Sequence, residues 1–133
     1  MILSGKAIKT GIKEGIIGIT PFSEEQVEMA HVNLHLGSVD GLEGDQFILE
    51  PKGFVVARTT ERIRLPARLC GLIEGRSKLA QQGLSVEQSS TFIEPGSDTT
   101  MVLEVFNAGD APVELKIGQK IAKMAILKIT DEI

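Results

Sequence analysis

The sequence predicts an all-β fold, a sandwich or closed barrel, and three observations carry that expectation. Short apolar or alternating runs recur from Ile16 to Ile129, clusters of Gly, Pro, Asn and Asp separate them, and little of the chain has helical periodicity. With 133 residues and 42% hydrophobic content, one domain spanning 1–133 around a single packed core is expected. A net charge of −4, with both signs interleaved, argues against a nucleic-acid binder, whose footprint is a basic surface. The lone cysteine, Cys70, excludes an intrachain disulfide, and its apolar neighbours predict a small core side chain in a protein of the reducing cytoplasm. No run approaches the ~18 apolar residues of a membrane span, and the start carries polar residues where a signal peptide has an unbroken apolar core, so mature protein without a membrane partner is expected.

In chain order, Ile2, Leu3, Ala7, Ile8 and Ile12 alternate with Lys6, Lys9 and Lys13, and Ser4 is placed to cap, so a short amphipathic helix ending at Gly15 is expected. Positions 16–20 read as a strand and 21–28 as an acidic surface loop. His31-Val32-Asn33-Leu34-His35-Leu36 alternates with the period of a strand, placing His31, Asn33 and His35 on one face, with Gly37 expected to close it. Two histidines four apart on a strand stand about 13 Å apart, with no carboxylate or cysteine between them, so no zinc site is expected. A Gly-rich acidic loop over 38–44, a strand over 46–49, a turn at Pro51-Lys52-Gly53 and a long extended run over 54–65 follow, and Pro66 ends the run.

Positions 69–73 read as a strand that runs into a corner, Glu74-Gly75-Arg76-Ser77-Lys78-Leu79-Ala80-Gln81-Gln82-Gly83-Leu84. The few helix-prone residues between Gly75 and Gly83 are too short to persist alone. A helix start attracts anions, and Arg76, Ser77 and Lys78 add a guanidinium fork, a hydroxyl and an ammonium there, so phosphate is the natural guest. The alternative is a plain turn capped by Ser77 with Arg76 and Lys78 solvated. Positions 84–93 are too polar for a strand with one buried face, which suggests cover from another chain. A turn at Glu94-Pro95-Gly96-Ser97-Asp98 leads into a strand over 99–107. There Met101, Leu103 and Val105 form one face, and Val102, Glu104 and Phe106 the other. Glu104 is thus a carboxylate flanked by apolar residues, a setting that disfavours the charged form and suits a general base; a salt bridge or a wet edge strand is the alternative. A turn at 107–110, alternation over 113–117, Gly118 and a mostly apolar strand over 121–129 complete the chain.

Five ordered stretches resemble the dCTP deaminase branch of the dUTPase-like family: the opening Met-Ile-Leu-Ser-Gly-Lys, Ala30 to Gly37, Glu74-Gly75-Arg76-Ser77, Ile93-Glu94-Pro95-Gly96 and Leu103 to Asn107. The resemblance implies a distorted jelly-roll β-barrel, a homotrimer with nucleotide sites at the subunit interfaces, and dCTP or dUTP as substrate. It implies deamination of dCTP to dUTP without zinc, and a lone cysteine cannot supply the Cys pair that zinc deaminases use. Glu104 is placed as the base that activates water, Ser77 as the residue orienting that water, and Arg76 with Lys78 as phosphate ligands. Gln81, Ser90, Glu94 and Asn107 fall among the substrate-contacting positions, and Mg2+ is expected to accompany the triphosphate.

Several residues depart from the family pattern. Gln81 stands for an arginine that supports the base, Lys78 for a serine, Asn33 for an aspartate, Glu94 for the aspartate that activates water in dUTPases, and Ser97 for an aromatic residue. Thr99 stands for a glycine, and Lys120 and Lys123 replace an arginine and a glutamine. The closing C-terminal segment of the family is expected to be missing after Ile133, which weakens water exclusion. Three readings follow: a dCTP deaminase, a dUTP pyrophosphatase yielding dUMP, and an inactive trimeric nucleotide-binding or regulatory relative.

Overall fold

The computed structural model describes residues 1–88 and 92–131. Helix α1 (Gly5–Lys13) opens the chain, and the Ser4 hydroxyl caps it by accepting from the Ala7 N–H at 3.1 Å. Its buried residues, Gly5, Ile8 and Gly11, recur every three positions, the spacing that turns one helix face to the barrel. β1 (Gly18–Thr20) and a 3-10 turn at Glu24–Gln26 lead into β2 (Val32–Val39), β3 (Gln46–Leu49) and β4 (Phe54–Arg64). β5 (Leu69–Gly75), α2 (Ser77–Ala80) and β6 (Leu84–Ser85) build the central corner, and β7 (Phe92–Ile93) follows it. β8 (Asp98–Asn107), β9 (Val113–Lys116) and β10 (Lys120–Lys128) finish the chain.

All strand pairs are antiparallel. The main sheet runs β6-β8-β4-β2-β10-β5-β7 with β1 added to β4, and β3 pairs β9 in a second, two-stranded sheet. The sheet curls over a core that includes Leu34, Leu36, Ile63, Leu103, Val105, Leu115, Met124 and Ile126, all fully buried. The all-β jelly-roll expectation therefore holds, and Cys70 is buried as expected.

β4 changes partner along its length. Ala57–Thr59 pair with β2 and Arg62–Arg64 pair with β1, with register breaks near 59–61 on the β8 side and at Gly37 on the β2 side. At that break the Thr59 hydroxyl takes over two ladder bonds, donating to Glu61 O at 2.8 Å and accepting from the Met101 N–H at 2.9 Å. Gly37 was expected to close β2, but the strand continues through it to Val39. A Cβ at Gly37 would lie 2.6 Å from Thr60 N, so glycine is there to let β2 cross the bulge in β4. The polar stretch over 84–93 holds two short strands, β6 and β7, in place of one long strand.

Candidate functional site

The corner places its charged residues by ending β5 at Gly75 and turning the chain at Arg76, whose extended backbone (φ −94°, ψ 134°) is the N-cap of α2. Ser77 is inside the helix and makes no capping bond, so the plain-cap reading of Ser77 does not hold. α2 is also only four residues long, which leaves side-chain charge to supply most of the attraction for an anion. Gly83 (φ +96°) ends the corner, where a Cβ would sit 2.4 Å from Gly109 N; the Ala108 N–H donates to Gly83 O at 2.8 Å and locks this approach.

Arg76, Ser77 and Lys78 line an open cleft of about 300 Å³. His31 and Asn33 enter it from β2 and the residue just before it, and Glu28 joins from the preceding loop. Lys120 and Lys123 come from β10, where Lys123 stands opposite Asn33 on one side and Glu74 on the other. The Lys123 ammonium lies 3.9 Å from Glu74, both side chains partly exposed. The two lysines were legible as substitutions of a motif, but their arrival beside Asn33 and Arg76 depends on β10 running between β2 and β5. A larger cleft of about 950 Å³, lined by residues near both chain ends and around the start of β5, among them Leu3, Ile17 and Leu69, shares no residue with this one.

The wall carrying Asn33 is braced from below by a carboxylate that pattern reading passed over. Glu61 is 1% exposed. It accepts from Gln26 Nε2 at 3.0 Å and from the His35 N–H at 2.9 Å, and lies 2.6 Å from His35 Nδ1. Gln26 Nε2 also donates to Asn33 O at 3.0 Å, which ties this buried network to the cleft. His35 therefore points to Glu61, while His31 and Asn33 serve the cleft.

Glu104 is not among the residues lining the cleft. Its strand face is not the core: Val102 is exposed, Phe106 and Glu104 are half-buried, and the buried side is Met101, Leu103 and Val105. The face that Glu104 shares with Val102 and Phe106 is thus an outer face of the β4–β8 pair, where Glu104 stands opposite Val56 and accepts from the Gln88 N–H at 3.3 Å. Gln81 is exposed at the C-cap of α2, and Glu94 is exposed in its turn, its carbonyl accepting from Ser97 Oγ at 2.7 Å. Asn107 is fully buried, donating to Leu49 O and Ala111 O and accepting from the Gly109 N–H, so its side chain is committed to the fold. Ser90 lies outside the described residues.

Fold and cleft together define a class: an antiparallel jelly-roll domain with a cation-lined cleft at a strand-to-strand corner. Within that class the chain belongs to the dCTP deaminase-like family, whose model matches residues 38–129. It is 31% identical to the dUMP-forming dCTP deaminase of Mycobacterium ulcerans over 98% of this chain and 82% of that protein. It is 28% identical to the enzyme of the same description from Corynebacterium diphtheriae, over 98% of this chain and 83% of that one. Among solved structures, the dCTP deaminase from Agrobacterium tumefaciens matches with a TM-score of 0.77 at 16% identity, over 94% of this chain and 46% of that one, so this chain spans just under half its length. A mutant dUTPase from phage phi11 of S. aureus, studied for its coordination of a structural Mg(II) ion, matches with a TM-score of 0.67 at 16% identity over 88% of this chain and 94% of that one.

Proposed function

We propose that the chain binds a pyrimidine deoxynucleoside triphosphate, with its phosphates in the cleft at Arg76, Ser77 and Lys78, and deaminates dCTP hydrolytically. The observation that carries this reading is the cleft itself, a cation-lined space in a member of a family with named dCTP deaminases. Glu104 acts as the base. It takes a proton from water as the water oxygen adds to C4 of cytosine, and returns it to the amino group, which leaves as ammonia to give dUTP. Because Glu104 lies on an outer sheet face and not in its own chain's cleft, a neighbouring subunit supplies it, in the homotrimer that the family resemblance implies. The exposed Val102 and Phe54 beside it suit that contact. Among the described residues Glu28 is the one carboxylate lining the cleft, too few to hold magnesium on the protein itself. Product analysis after incubation with dCTP or dUTP, beside Glu104→Gln, tests the reading: dUTP and ammonia from the parent but not the variant support it. Release of dUMP and pyrophosphate from dUTP moves the chemistry to Glu94 and makes the chain a pyrophosphatase.

A second reading is a trimeric nucleotide-binding or regulatory relative without turnover. It is favoured by Gln81, a neutral, exposed amide where an arginine was expected, which cannot lend positive charge to Glu104 or its water. Nucleotide binding with no product from either triphosphate supports this second reading.

A further inference from the structure

Charge in the cleft is distributed in an unusual way for a chain whose net charge is −4. Arg76, Lys78, Lys120 and Lys123 share one small space with a single carboxylate, Glu28. With Glu74 counted as well, since its carboxylate lies 3.9 Å from the Lys123 ammonium, an excess of two positive charges is gathered where Asn33, a neutral amide, takes a position typical of aspartate. The ion pair found there among the described residues, Lys123 with Glu74, is long at 3.9 Å and solvated, so Lys123 can turn to a better partner. Mg2+ asks for oxygen ligands in near-octahedral array, and nearby ammonium groups repel it. Among the described residues no three His, Cys, Asp or Glu side chains converge as a metal site would need. These donors do not fit a divalent cation; they fit a multiply charged anion.

We infer that the cleft takes the polyphosphate end of its ligand without a divalent metal, Lys120 and Lys123 supplying, with Arg76 and Lys78, the positive charge that magnesium supplies elsewhere. The inference rests on the assignment of this cleft to phosphates. It adds two binding residues from β10 and a metal requirement opposite in sign to that of a magnesium-bridged complex. Excess magnesium competes with the lysines for the same oxygens, so it weakens binding.

Calorimetric titration of the full chain with inorganic triphosphate and, separately, with dCTP, each in chelator and in excess magnesium, tests this. Both ligands are expected to bind in chelator and to bind several-fold more weakly in magnesium. Lys120→Gln and Lys123→Gln each lower triphosphate affinity in chelator by about tenfold, the loss of one charge-assisted contact, with an unchanged melting temperature. Lys120→Arg and Lys123→Arg keep the charge and keep the binding. Binding of either ligand only in magnesium overturns the inference and leaves the nucleotide reading standing, as does parental affinity in the two glutamine variants. Triphosphate binding in chelator with no gain from the nucleoside upholds the inference and removes the nucleotide reading. Failure of both ligands to bind under every condition overturns both.

Discussion

Removing the carboxylate of Glu61 should cost more stability than removing any other charge described here. In Glu61→Ala, Gln26 Nε2, the His35 N–H and His35 Nδ1 lose their partner at distances of 3.0, 2.9 and 2.6 Å. Each buried or partly buried donor stranded by the loss of this carboxylate costs roughly 1–3 kcal/mol. Gln26 keeps its bond to Asn33 O, which moderates the penalty, so about 4 kcal/mol is the working figure. At ~2.1 cal/mol/K per residue the unfolding entropy of this chain is about 0.28 kcal/mol/K, which converts that loss into a fall in Tm of roughly 14 °C. Scanning calorimetry of parent, Glu61→Ala, His35→Ala and the double variant, at one fixed protein concentration, measures both the loss and the coupling. A coupling of about 1.5 kcal/mol or more is expected. A fall in Tm under about 3 °C, or a cycle that closes without coupling, would refute the claim that these groups form one buried network.

Gly37→Ala is expected to destabilise by about 2–4 kcal/mol, read as a lower denaturant midpoint, because its Cβ meets Thr60 N at 2.6 Å and backbone cannot step aside as a side chain can. Asn107→Ala should cost about 1–3 kcal/mol in the same assay, since it strands the buried Leu49 carbonyl and takes the partner from the Ala111 carbonyl and the Gly109 N–H, both nearer the surface. Glu104→Gln should leave Tm within about 2 °C of the parent and leave triphosphate binding in titration unchanged, while abolishing product from dCTP; loss of binding instead would move Glu104 into the phosphate site.

Much of the fold was legible because strand alternation and turn residues are local signals. The Ser4 cap, the extended runs before Pro66 and up to Asn107, and the Arg76 corner all came from them. Alternation also exposed its own limit at Glu104 and Glu61. Both are carboxylates among apolar residues of like parity, but Glu61 shares its face with Ala57, Ile63 and Leu65, all buried, whereas Glu104 shares its face with the exposed Val102. The polar run Arg-Thr-Thr-Glu-Arg hid the first, and parity alone does not say which face of a strand is inside. Gly37 was read as a strand end because glycine usually breaks a strand; its real cause, a bulge on the neighbouring strand, is not written near it in sequence. Likewise Lys120 and Lys123 join Arg76 only through the order in which strands pair.

That order has a consequence for when the cleft comes into being. Asn33, Arg76 and Lys123 reach it from β2, the end of β5 and β10, and β10 is both the latest of these three in sequence and the one lying between the other two. No early, locally built fragment can hold the complete set, because contacts of such long sequence separation form only after large loops have closed. Any polyanion that the cleft takes is therefore a ligand of the finished fold and of nothing before it, and its occupancy reports on whether β10 has docked.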